Sequence, residues 1–158
     1  MQKWVSRGLF WLVVALVLAQ AIRPSRVNPA IAGEHEVQSH LAVDPAVDAI
    51  FSRSCNDCHS HKTVWPWYTN VAPVSWLVAW DVKRGRRELN LSEWGTYSAQ
   101  RVAKKLDETC EEVTHGDMPP GIYTLPHPNA KLSPADVEAV CRWTQSVGGT
   151  KAESERGE

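Results

Sequence analysis

The sequence predicts an all-α domain, and three observations carry that reading. Apolar residues recur at spacings of three and four in several segments, as in Val47-Ile50-Phe51 and Val102-Leu106-Cys110-Val113. Those segments are bracketed by residues that start and stop helices, among them Asp44-Pro45, Ser133-Pro134 and Gly116. No stretch shows the period-two alternation of a half-buried strand, and no internal repeat is visible.

The first element is the apolar run Gly8 to Ile22, preceded by Lys3 and Arg7 and followed by Arg23-Pro24. With Trp4 and Val5 added, it reaches about the 20 residues that a bilayer core demands of a helix. The expectation for residues 1–23 is therefore a hydrophobic helix acting as a signal-anchor, with membrane contact through residues 4–22 if it is uncleaved. Ala19-Gln20-Ala21 resembles a peptidase site, so a removable signal peptide is the alternative. Residues 24–43, with Pro24, Pro29 and Gly33 and little periodicity, read as a linker in which His35 and His40 are solvated.

Residues 44–148 read as the globular domain. Asp44 caps and Pro45 opens a short helix whose apolar face leads to Cys55. Val64-Trp65-Pro66-Trp67-Tyr68 is too broken by proline for regular helix, whereas Pro73 starts one that Gly85 is placed to stop. A third helix spans about Ser98 to Val113, ended by Gly116, and the rigid loop Asp117-Met118-Pro119-Pro120 follows. In the fourth, Ser133 and Asp136 form a capping box, Val137, Val140, Cys141 and Thr144 share the apolar side, and Gly148-Gly149 terminates it. The tail 149–158 is short, charged and expected to be disordered.

The chemistry lies in Cys55-Asn56-Asp57-Cys58-His59. C-x-x-C-H is the attachment signature of covalent c-type haem: each thiol adds to one porphyrin vinyl group, and the next residue supplies an axial imidazole. A zinc site would need two further distant ligands, and this chain has no second C-x-x-C to supply them. A thioredoxin-like pair would need a βαβ setting. The cofactor reading is thus one haem c, held through Cys55 and Cys58 with His59 on the iron.

For the second axial position the candidate is Met118, since Met1 is the other methionine and lies ahead of the apolar run. Its sulfur sits in a loop stiffened by Pro119-Pro120. His115 and His127 flank that loop and are the competitors; His61 is too close to His59 to reach the opposite face of the same ring. Eight tryptophans beside two phenylalanines suit the lining of a flat aromatic group, and Trp65, Trp67 and Trp76 are the candidates, with ordinary core packing as the alternative. Arg84, Arg86 and Arg87 read as a solvated basic turn or as partners for haem propionates or an acidic protein. A net charge of −1 gives no reason to expect nucleic acid. Catalytic triads, phosphate loops and paired-carboxylate sites have no convincing context here, so the chain reads more as an electron carrier than as a catalyst.

The motifs Cys55 to Ser60, Val64 to Tyr68, Ala72 to Val78, Leu89 to Trp94 and Gly116 to Pro120, in this order, resemble the bacterial haem-binding domain family of cytochrome c type over about Asp44 to Val147. The resemblance implies covalent haem, electron transfer and a globular domain in the periplasm, and it names no redox partner; an electron carrier there is expected to meet redox protein partners in or at the membrane. The chain is then anchored to the bacterial cytoplasmic membrane, or secreted if the N-terminus is cleaved. A haem-based gas or redox sensor, or a haem enzyme with a displaceable sixth ligand, is the alternative. An oxidising compartment also permits Cys110 and Cys141, left over after haem attachment and placed on apolar helix faces, to form a disulfide.

Overall fold

A computed structural model describes the backbone of residues 2–154 and, among these, contains helices and turns but no strand. Its α-helices are α1 (Gln2–Ala19), α2 (Val37–His40), α3 (Pro45–Ser54), α4 (Asn56–His59), α5 (Val74–Glu88), α6 (Ala99–His115), α7 (Gly121–Thr124) and α8 (Pro134–Ser154). Short 3-10 turns at Gly33–His35, Trp67–Asn70, Trp94–Thr96 and Pro128–Ala130 connect them.

Most helix ends follow the capping chemistry of the sequence. Asp44 holds the N-cap position of α3 in an extended conformation, but its side chain makes no capping hydrogen bond, so the expected Asp44 cap is not formed and Pro45 opens the helix. Ser98 caps α6 by accepting from Arg101 N, and Gly116 closes it at φ 77°, a left-handed conformation that glycine adopts without Cβ strain. At α8 the capping box is complete: Asp136 N donates to Ser133 Oγ at 3.2 Å and Ser133 N donates to Asp136 Oδ2 at 2.8 Å. Arg53 of α3 pairs with the same carboxylate at 2.7 Å, tying α3 to the start of α8.

Helix α3 feeds two apolar clusters. Val47 and Phe51 join Val37, Leu91, Trp94, Val102, Leu106 and Trp143, and Ile50 joins Val113 and Val140. Phe51 meets Trp143 edge to face with centroids 5.3 Å apart, while Trp143 Nε1 donates to Ala42 O at 2.8 Å. Helices α6 and α8 pack along each other and are joined by the expected Cys110–Cys141 disulfide, Cα atoms 4.7 Å apart.

Four further expectations need correction. Helix α5 runs through Gly85 to Glu88, because Gly85 is buried against α4 rather than free to turn. Helix α8 continues through Gly148-Gly149 to Ser154; of the tail expected to be disordered, residues 155–158 lie outside the described residues. The stretch read as a linker is docked on the domain. Val37 is fully buried, and Asn28 bonds Thr63 O, Trp65 Nε1 and Arg86 Nη2; ahead of this stretch, Gln20 and Ala72 exchange hydrogen bonds of 3.0 and 3.2 Å. Finally, among the described residues no helix is long and apolar enough to cross a membrane, which overturns the expected membrane anchor and the localisation built on it. The helix closes at Ala19 and carries Lys3 and Arg7 near its start. The apolar stretch after Arg7 therefore spans roughly 18 Å at about 1.5 Å per residue, against about 30 Å of hydrocarbon.

Two predictions follow from this packing. Replacing Cys110 and Cys141 by serine opens a loop of sequence separation 31 and should lower unfolding stability by about 3–4 kcal/mol in the chain-entropy model, read by urea titration. Hydrogen bonds from the Ser133 backbone hold the Asp136 carboxyl below its ordinary range, with the Ser133 hydroxyl and Arg53 adding to them. A carboxylate with a depressed folded value contributes stability above its unfolded value, and loses it as pH falls through the folded one. Asp136→Ala should thus cost about 1 kcal/mol at neutral pH, and the gap to wild type should close on acidification.

Candidate functional site

Cys55 is the joint between α3 and α4, with φ −122° and ψ −41°. Its carbonyl accepts from both Cys58 N at 3.2 Å and His59 N at 2.9 Å, so the whole motif is one tight helical turn. Both thiols are free. Burial pushes Cys55 up to about 12, and burial with the nearby Asp57 and Asp81 carboxylates pushes Cys58 up to about 11. At neutral pH both are therefore protonated thiols, unlike the low-pKa pair of a dithiol oxidoreductase. No group of three or more His, Cys, Asp or Glu able to hold a metal ion exists among the described residues, which removes support for the zinc reading.

The geometry of His59 is the most informative feature. Its Nδ1 faces two backbone carbonyls of α5 and its C-terminal cap, Gly85 O at 3.0 Å and Leu89 O at 3.2 Å. A carbonyl only accepts, so the proton resides on Nδ1 and the Nε2 lone pair is left available, the tautomer that a metal-ligating histidine needs. Burial lowers the imidazole's pKa and keeps it neutral. Glycine at 85 is what admits this approach: a Cβ there would lie 2.6 Å from Cys58 O and 3.0 Å from Cys58 Cβ. Arg86 completes the joint, donating to Ser60 O at 2.8 Å and to Asn28 Oδ1 and Thr63 Oγ1 at 2.9 Å each. It is a structural cross-tie; Arg84 lies over the Trp80 ring at 5.3 Å, and Arg87 is exposed.

The other histidines differ from His59 in having their ring nitrogens occupied or lying in the open. Buried His61 uses Nδ1 on Ala30 O at 3.2 Å and Nε2 on Asn90 Nδ2 at 3.0 Å. His127 uses Nδ1 on Tyr123 O at 2.9 Å and Nε2 on the Tyr68 hydroxyl at 3.1 Å. His115 is exposed at the end of α6. Met118 is half-buried against Ile50, Val113 and Val140, and its loop reaches the motif through Tyr123, whose hydroxyl donates to Asp57 Oδ2 at 2.8 Å.

The three candidate tryptophans lie apart from the buried core. Trp65 Nε1 donates to Asn28 Oδ1 at 3.2 Å, Trp76 Nε1 donates to Ile22 O at 2.8 Å, and Trp67 is 78% exposed. The core instead uses Trp94 and Trp143. Sequence reasoning missed Gly85, Asn28, Asp57 and Tyr123. Asp57 carried a signal, its place between the two cysteines; Gly85 carried an ambiguous one, since a buried contact glycine and a helix stop look alike.

These residues fit a haem. Two free thiols lie one turn apart beside an imidazole with Nε2 unused. Apolar side chains stand exposed on the elements around the motif: Trp67 in the 3-10 turn after Pro66, Leu77 and Trp80 on α5, Ile122 on α7 and Leu125 just after it. Arg53 Nη1 and Ser54 Oγ, immediately ahead of Cys55, are buried without a hydrogen-bond partner, capacity that the carboxylates of a haem can use. Fold and donor set together are those of a helical haem-binding protein. Comparison with family models agrees: the haem-binding domain model matches residues 14–146, and the chain belongs to that family, with haem as its cofactor. Searches of curated proteins and of solved structures found no match.

Gly85→Ala tests the joint. The added methyl group meets backbone rather than a flexible side-chain end, so α5 must shift away from α4. Thermal or urea unfolding should show a loss of about 1–3 kcal/mol, accompanied by poorer haem incorporation because the His59 carbonyl partners move with α5.

Proposed function

We propose that the protein is a c-type cytochrome that carries one haem covalently through Cys55 and Cys58, uses His59 and Met118 as axial ligands, and passes single electrons between redox protein partners. The observation that carries this reading is the locked His59 tautomer: Nδ1–H is spent on Gly85 O and Leu89 O beside two free thiols, leaving Nε2 as the ligand atom. Bound haem supplies reversible one-electron exchange between ferrous and ferric iron. The chain's own residues do the rest. The two carbonyls orient the imidazole and raise its basicity, the free Cys55 and Cys58 thiols would each add S–H across a haem vinyl group, and the soft Met118 thioether would favour the ferrous state and raise the potential.

The packing of Met118 against Ile50, Val113 and Val140 favours a second reading, a sensor or haem enzyme whose sixth position is open or displaceable. Two experiments decide. Haem should stay with the polypeptide after denaturation and acidified organic extraction; complete extraction refutes covalent attachment. The oxidised protein should show the red-end absorption band of iron–sulfur ligation, abolished by Met118→Ala, and the reduced protein should bind carbon monoxide poorly. Ready binding by the wild type, with a spectrum indifferent to Met118→Ala, supports the open-site reading instead.

A further inference from the structure

Asp57 sits between the two cysteines, at a position the C-x-x-C-H pattern leaves unspecified, and makes three fixed contacts. Its carbonyl accepts from Thr63 Oγ1 at 2.7 Å and its Oδ1 accepts from Val64 N at 2.8 Å. Those bonds pin Asp57, by its backbone carbonyl and one carboxylate oxygen, to the turn that follows the motif. The remaining oxygen, Oδ2, takes the Tyr123 hydroxyl at 2.8 Å, a contact that spans 66 residues of sequence.

Tyr123 belongs to the same short segment as Met118. Asp117 N and Met118 N both donate to Glu112 O, at 3.0 and 3.2 Å, which holds the start of the segment on the end of α6. Tyr123 N donates to Pro120 O at 2.9 Å, closing the turn after Pro119-Pro120. Prolines fix φ near −65°, so a segment pinned at both ends has little freedom between them. The far end is reinforced: His127 stacks on Tyr123 with centroids 4.4 Å apart and planes at 26°, donates Nδ1–H to Tyr123 O, and accepts the Tyr68 hydroxyl on Nε2.

We propose that Tyr123 is a positioning residue, its bond to Asp57 clamping the Met118-bearing loop to the haem-attachment turn and so governing how well that sulfur competes for the iron. The inference rests on the axial-ligand reading above. Tyr123 touches neither of the proposed axial ligands in this role; it acts through Asp57 on one side and Pro119-Pro120 on the other. A hydroxyl-to-carboxylate bond is among the stronger protein hydrogen bonds, because one partner is charged.

The test uses the full-length haem-loaded protein and three variants, Tyr123→Phe, Met118→Ala and Asp57→Asn. Tyr123→Phe keeps the ring that stacks on His127 and removes only the latch. Haem should remain covalently attached and urea unfolding should stay cooperative. The oxidised red-end band should weaken, and carbon monoxide should bind the reduced form roughly tenfold faster or more, the range expected for losing one charge-assisted bond from the closed state. Asp57→Asn, which keeps a carbonyl acceptor for the hydroxyl, should show the same changes in smaller measure and supplies the readout should the phenylalanine variant fail to accumulate. A band lost in Met118→Ala but unaltered in Tyr123→Phe, with unchanged carbon monoxide kinetics, overturns the clamp alone. A wild-type band that ignores Met118→Ala, or haem that extracts from the wild type, overturns the ligand reading and the clamp with it.

Discussion

The contact on which the site depends is the approach of α5 to the attachment turn at Gly85. One missing side chain brings the α5 backbone within reach of Cys58 and lets two carbonyls, Gly85 O and Leu89 O, face His59 Nδ1. Proton position, ring orientation and the availability of Nε2 all follow from that contact. Leu89 is also where the chain leaves the helix, and Leu91 N then donates to His59 O at 2.7 Å, so the histidine's backbone is held by the segment that holds its side chain. Arg86, between the two carbonyls, ties Ser60, Thr63 and Asn28 into the same joint.

The remainder of the fold presents α3 and α4 to this joint at a fixed angle. Val47 and Phe51 bury in the cluster around Leu106 and Trp143, Ile50 in the cluster around Val113 and Val140, and Cys55 packs on the first of these. Burial on that scale, about 1.5–3 kcal/mol for each large apolar side chain, leaves α3 little room to rotate. Both cysteines therefore emerge in a register set by the core. The Cys110–Cys141 bridge secures α6 against α8 behind Ile50, and the Gln20 and Asn28 contacts bind the early chain over the turns at Thr63 to Ala72.

Local signals were legible in the sequence because their physics is local. Pro45, Ser98, Gly116 and the Ser133/Asp136 pair mark helix ends by their own dihedrals and hydrogen bonds, and the structure places them there, whereas Asp44 stands at its N-cap position without a side-chain bond. The disulfide was readable by elimination once the motif had claimed Cys55 and Cys58. What escaped depends on partners remote in sequence. Gly85 looks like a stop unless Cys58 is known to lie against it, and Asn28 looks like linker unless Trp65 and Arg86 are known to surround it. The apolar N-terminal run reads as a membrane span by composition, yet its helix closes before it reaches that length. Tyr123 carried no signal at all, since nothing in its neighbours announces a bond to Asp57.

We propose that Cys55 and Cys58 form thioether bonds to a single haem while His59 holds its iron; the family match supplies the haem alone, and the attachment is supported by two free thiols beside an imidazole presented with Nε2 free. Intact and peptide mass spectrometry under denaturing, reducing conditions tests it most directly. The account predicts a polypeptide heavier by one haem, the added mass mapping to the peptide that contains Cys55 and Cys58, with neither thiol open to alkylation. A polypeptide of unmodified mass, with both thiols freely alkylated in a preparation that shows haem absorbance before denaturation, would contradict it.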